Sequence, residues 1–115
     1  MVEKGLTGEA AAAVFLEQKG MRILEKNFRS RKGEVDIIAL EGETLVFAEV
    51  KTWAACGIDA LEQALDAKKQ RKIIETSKYF LFLNRKYRYM AIRFDVIFIS
   101  PRGITHLASA FTERV

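Results

Sequence analysis

Between Gly33 and Lys51 the chain reads GEVDIIALEGETLVFAEVK, two β-branched and apolar runs joined through Glu41-Gly42-Glu43-Thr44. The runs predict strands over Glu34–Leu40 and Thr44–Lys51. Gly42-Glu43 as the central pair of a type II′ turn puts glycine where a positive φ is wanted. The pairing then sets Asp36 opposite Glu49 and Glu34 opposite Lys51. The two-residue period of a strand sends these four side chains out of one face, with Ile38, Leu40, Leu45 and Phe47. Val35, Ile37, Ala39, Val46, Ala48 and Val50 fall on the other face. A slip of one residue would carry a whole set across the sheet.

The flanks supply the remaining elements. Leu6–Lys19 reads as a helix that Thr7 can cap and Gly20 can end, with alanines that let it lie close to a sheet. Met21–Arg29 alternates loosely as a first strand, and Ser30–Gly33 (SRKG) is a turn. TWAACGIDA is a loop, Leu61–Ala67 a short helix, and Lys68–Asn84 a long helix with Ile73, Ile74, Ser77, Phe80 and Leu81 on one stripe. The aromatic residues of SKYFLFL are expected in the core. Tyr89–Ser100 is a strong fourth strand and Ile104–Ala108 a fifth. This order predicts an α/β layer fold around a mixed sheet. With 115 residues, half of them hydrophobic, the chain is expected to be one domain over 1–115 that buries a core without staples.

Composition narrows the function classes. One cysteine, Cys56, excludes an internal disulfide. The apolar run Ala10–Leu16 has no basic leader, so the expected setting is a reducing cytoplasm. No segment is long enough to span a bilayer. The net charge of +4 and pI near 9.3 favour a polyanionic partner. Basic residues cluster at 29–32 (RSRK), 68–72 (KKQRK) and 84–89 (NRKYRY). The first two adjoin the carboxylate end of the hairpin. Arg29, Arg31, Lys32, Lys69 and Lys72 are therefore expected to contact phosphates, which positions nucleic acid without reading its sequence. Solvated faces carry such runs too. No helix-turn-helix or zinc-finger spacing is present.

Two acids directly opposite one another repel. Carboxylates at the edge of a covered layer are also costly to desolvate. Lys51 can neutralise one charge, and a bound divalent cation would neutralise the rest. Asp36 and Glu49 are thus the expected metal pair, with a surface salt-bridge network as the alternative. Glu34 is expected to be solvated or paired with Lys51. Glu9, in the first turn of its helix, suits the helix dipole. It also shares a face with Ala13 and Leu16, toward the sheet. Asp95 lies in a strongly apolar strand and needs a partner, expected to be a salt bridge or a backbone donor. His106 and Cys56 are assigned no role.

An acid on one strand followed by acid–any–lysine on the next, here Asp36 and Glu49-Val50-Lys51, resembles the signature of the restriction-endonuclease-like PD-(D/E)xK nucleases. The stretch TGEAAAAVFLEQKGMRILEKNFRSRKGEVDIIALEGETLVFAEVKT, with KKQRKI and RFDVIFI, is similar to the YraN-like family of bacterial proteins, related in fold to archaeal Holliday-junction resolvases. The resemblance runs from about Gly5 to Ser100. It implies a restriction-endonuclease-like three-layer core, with a mixed β-sheet of four to five strands flanked by helices in the order α-β-β-β-α-β. It implies that Asp36, Glu49 and the carbonyl of Val50 hold Mg²⁺ or Mn²⁺ with support from Glu9. Lys51 would orient a water or stabilise charge, and Gln70 would join the active site. The implied function is a metal-dependent endonuclease acting on nucleic acid, DNA before RNA, with branched DNA suggested by the resolvase kinship. The alternative is a nuclease-fold accessory protein that binds DNA or RNA without cutting. A two-fold homodimer would suit a junction cutter. Trp53, where the family often has arginine, and the loop AACGIDALEQAL depart from the pattern.

Overall fold

A computed structural model describes residues 8–52 and 66–112. Its elements are α1 (Gly8–Gln18), β1 (Arg22–Arg29), β2 (Glu34–Glu41), β3 (Thr44–Thr52), α2 (Ala67–Leu83), a 3₁₀ turn (Arg85–Tyr87), β4 (Ala91–Ser100) and β5 (Gly103–Phe111). The five strands form one sheet in chain order. Neighbours run antiparallel except β3 and β4, which are parallel and joined through α2. This is the α/β architecture with a mixed sheet that the element order predicts. The proposed cap at Thr7, most of the short helix 61–67, and Trp53 and Cys56 lie outside the described residues.

α1 and α2 cover opposite faces. Ala12, Ala13 and Leu16 pack with Ile37, Ala39, Val46, Ala48, Ile97 and Ile99. Ile73, Ile74 and Phe80 pack with Ile38, Leu45, Phe47 and Phe94. Both central strands are buried on both sides, which is why β3 and β4 read as near-continuous apolar runs. α1 ends in paired Gly20 N–H to Glu17 and Met21 N–H to Leu16 bonds. Met21 and Leu16 then share the α1-side core, the contact expected of that motif. Asp66 caps α2 by accepting from the Lys69 N–H at 2.8 Å. Among the described residues, no helix is long and apolar enough to cross a membrane.

The hairpin register is the predicted one, with Ile37 opposite Ala48, Leu40 opposite Leu45 and Glu41 opposite Thr44. Gly42 takes φ +58 while Glu43 stays out of the positive region, the pattern of a type II′ turn. The predicted face assignment fails at one residue. Val35 packs on the α2 side with Ile38 and Phe47, whereas Ile37 packs on the α1 side. The strict alternation breaks at Asp36. Across the ladder, Lys26 faces Ile37 and Phe28 faces Val35, so Asn27 lies opposite Asp36. Asn27 takes φ +53, a conformation asparagine tolerates better than most. The two strands change face together at that pair.

Three further expectations change. β4 begins at Ala91 rather than Tyr89, because Tyr87–Met90 closes a turn. β5 runs on to Phe111 past a register shift near Asp95, with Ser109 at φ +54. In SKYFLFL only Ser77 and Phe80 are buried. Tyr79, Phe82 and Leu83 are exposed, since the apolar positions of this stretch wrap beyond the single stripe that faces the sheet.

Candidate active site

Hydrogen-bonded pairs in the hairpin recur every second residue from Glu41/Thr44 through Ile37/Ala48, so Val35/Val50 would be next. Instead the Val50 N–H donates to Asp36 Oδ2 at 2.7 Å. The change of face at Asp36 turns its carboxylate into the ladder and opens the end of the hairpin. Glu49, one residue before Val50, is 7% exposed. Its Oε1 contacts Lys69 Nζ at 3.0 Å and Lys51 Nζ at 3.5 Å. The open end thus holds two acids, two lysines and the backbone of Val50.

The charges are not balanced. Burial and the nearby Glu49 push the Asp36 carboxyl up to about 6. The Val50 N–H pulls the other way, and the charges of Glu9 and Glu34 push it up further. Asp36 is an acid held short of compensating cation, although two lysines lie beside its neighbour. Lys69 outcompetes Lys51 for Glu49. The adjacent Lys69 amine and partial burial hold Lys51 below the usual lysine range. Lys69 is raised: burial opposes its charge, but its contacts with Lys51 and Glu49 prevail.

This donor set fits a hard divalent cation. Mg²⁺ is held in many sites by one or two carboxylates, retained waters and substrate phosphate oxygens, not by a closed protein cage. Among the described residues no group of three or more His, Cys, Asp or Glu side chains is placed to hold a metal ion. Asp36 and Glu49, with the Val50 carbonyl, would hold such an ion with an open coordination sphere. Glu9 acts on Asp36 through its charge.

The other expected residues divide. Glu34 pairs with Arg29 at 3.4 Å and not with Lys51, which Glu49 engages. That contact takes Arg29 out of the unpaired cations. Lys69 sits in the site itself, a role that sequence reasoning assigned to phosphate contact alone. Gln70, one residue on, faces a cleft between α2 and the end of β5, lined also by Arg71, Ile74 and Thr112. Arg31 and Lys32 stay exposed on the β1–β2 turn. Gly33 presses that turn against α2, where an added Cβ would lie 3.0 Å from Lys72 Cβ. Ser30 Oγ and Thr76 Oγ1 lock the contact at 2.8 Å. Arg31, Lys32 and Lys72 are thereby gathered beside the acid end of the hairpin.

Asp95 has the structural role expected of it. It is 1% exposed and takes two bonds from the Arg93 guanidinium, at 2.9 Å each, and one from the Ser109 N–H at 3.0 Å. His106 Nε2 lies 2.7 Å from its other side. Burial raises its pKa, but Arg93, His106 and Ser109 outweigh that and hold it below the usual carboxylate value. Arg93 continues to Glu41 at 2.6 Å. Sequence reasoning gave His106 no role because its contact depends on the β4–β5 register. Asp95→Asn should lower stability by about 2 kcal/mol, the scale of charge-assisted hydrogen bonds lost in a buried setting. Urea denaturation at neutral pH reads this directly, and an unchanged midpoint would remove the network from the stability of the sheet.

Residues 8–99 match the model of the family described as "Uncharacterised protein family UPF0102". A UPF0102 protein of Persephonella marina is 44% identical over 108 residues, covering 94% of this chain and 92% of its own length. One from Treponema denticola is 46% identical over 123 residues, covering 95% of each. One from Lachnoclostridium phytofermentans is 41% identical over 108 residues, covering 94% and 92%.

Proposed function

The chain belongs to the UPF0102 family, and on that premise we propose that it is a metal-dependent endonuclease hydrolysing phosphodiester bonds in nucleic acid. The observation that carries this reading is the placing of Asp36, its carboxyl bonded to the Val50 N–H and pushed up by burial and by Glu49, beside Glu49 at the opened end of a hairpin, with Lys51 next to them. A carboxylate pair that repels itself is costly to the fold, and it becomes favourable once a cation is shared between its members. A bound Mg²⁺ or Mn²⁺ would supply a water of lowered pKa and neutralise charge on the attacked phosphate.

The chain's own groups do the rest. Asp36 is fixed by the Val50 N–H, so its remaining oxygen has a defined direction. Glu49 is held by Lys69, which leaves Lys51 as the less tightly bound ammonium. Lys51 orients the attacking water or stabilises the charge that builds on the phosphate. Arg31, Lys32 and Lys72 grip the flanking phosphates. The resemblance to resolvases argues by analogy for branched DNA.

The apo site should be visible in the pH dependence of stability. Asp36 titrates near 6 in the fold and near 3.8 when free. Between those values the folded chain binds more protons than the unfolded one. Asp36 therefore contributes stability that is fully present below about pH 4 and is lost as pH rises through about 6. Asp36→Asn should remove that part of the decline, and Mn²⁺ should offset it in wild type but not in the variant. Denaturant midpoints between about pH 4 and pH 7 make the comparison. Identical pH profiles for wild type and Asp36→Asn would mean that Asp36 is not held in a strained acid pair.

A further inference from the structure

Residues 66–90, comprising α2 and the turn after it, carry eight Lys and Arg against only Asp66 and Glu75. That is a net +6, so the rest of the chain contributes −2 to the overall +4. Lys69, at the start of this segment, reaches the acid pair. At its far end, Arg85, Lys86 and Arg88 form no ion pair with any described residue. On either side of them in the chain are the barest rings of the described residues, Phe82 at 71% exposed and Tyr89 at 89%. The Arg88 guanidinium lies 4.8 Å from the Tyr89 ring centroid. Packing does not call for Tyr89: Tyr87 already stacks on Phe80 at 6.0 Å and closes the core at this corner.

Exposed rings set among unpaired cations match the chemistry of an unpaired nucleic-acid strand. Every free base offers a π-face to stack on an aromatic side chain, and its phosphates meet the cations. A duplex cannot use the rings, because its bases are already stacked inside. A two-fold contact between copies of the chain would bring the same three cations face to face, which disfavours self-association here. We infer that the turn after α2 binds a single-stranded segment of nucleic acid, so that the substrate straddles a boundary between paired and unpaired strands. This rests on the nucleic-acid reading of the candidate site. The 17 residues of α2 span about 25 Å at 1.5 Å per residue. The unpaired stretch thus lies roughly seven nucleotides from the phosphate at Asp36 and Glu49, at about 3.4 Å per step.

The test is binding in EDTA, which separates it from cleavage. Fluorescence anisotropy is measured with a labelled single strand, a blunt duplex and the same duplex carrying an unpaired tail. The double variant F82A/Y89A should bind the single strand and the tailed duplex about tenfold more weakly, yet keep the blunt duplex within about twofold. A 2-aminopurine in the tail should be quenched by wild type and not by the variant. Replacing Arg85, Lys86 and Arg88 by alanine should flatten the log–log salt dependence on the tailed duplex by up to about three. An unchanged tail affinity, or a loss on the blunt duplex equal to that on the tail, would overturn the inference. So would a shift from dimer to monomer in sedimentation of F82A/Y89A, or a loss confined to anionic phosphatidylserine vesicles. If wild type binds none of the three at low salt, the nucleic-acid reading itself fails and this inference falls with it.

Discussion

Lys51→Met should cut nucleic acid about a hundredfold more slowly than wild type, or worse, while binding it within a few-fold. The substitution keeps the length of the stem and removes the charge. Lys69 remains 3.0 Å from Glu49, so the buried acid keeps a counter-charge and the fold is not left with an orphan. One ammonium contributes at most one phosphate contact to docking, a small part of a polyelectrolyte interface. Its charge matters most as negative charge builds on the attacked phosphate. Single-turnover cleavage beside anisotropy separates the two quantities. Equal losses in both would make Lys51 a docking residue.

The two acids should part company. Asp36→Asn and Glu49→Gln should each abolish Mn²⁺ binding in calorimetry and slow cleavage by about two to three orders of magnitude. Their apo stabilities should move in opposite directions. Asp36 is raised by burial and by Glu49, so removing its charge relieves repulsion at neutral pH. Glu49 is the shared salt-bridge partner of Lys51 and Lys69, so removing its charge leaves two neighbouring amines without that partner. Asp36→Asn should be at least as stable as wild type and Glu49→Gln less stable. Mn²⁺ binding retained by both variants would place the metal elsewhere.

The hairpin was legible because local rules fix it. Gly42 specifies the turn, and the turn specifies a register that pairs the strands as far as Ile37 and Ala48, leaving Asp36 and Glu49 at the next step. Alternation failed where local rules stop. Val35 changes face because Asn27 on the neighbouring strand takes a left-handed conformation opposite Asp36, and nothing in a period of two reports that. Lys69 read as one more member of a basic run. Its contact with Glu49 depends on how the β3–α2–β4 crossover lays the start of α2 over the hairpin end. His106 was silent for a similar reason. Its partner Asp95 is eleven residues away, across a strand pair whose register shifts between Phe94 and Val96. The exposed Phe82 was hidden because an apolar residue near a helix end reads as core whether or not the sheet reaches it.

Asp36, Glu49 and Lys51 are proposed to form a metal-dependent phosphodiester-cleaving site. The most direct test is a panel of end-labelled linear, flapped and four-way DNAs with matching RNA, incubated with wild type or Asp36→Asn in Mg²⁺, Mn²⁺ or EDTA. Wild type should cut at least one member of the panel in a divalent metal and none in EDTA, and Asp36→Asn should cut none. Cleavage by Asp36→Asn at the wild-type rate, or no cleavage by wild type of any nucleic acid that it binds, would contradict this assignment.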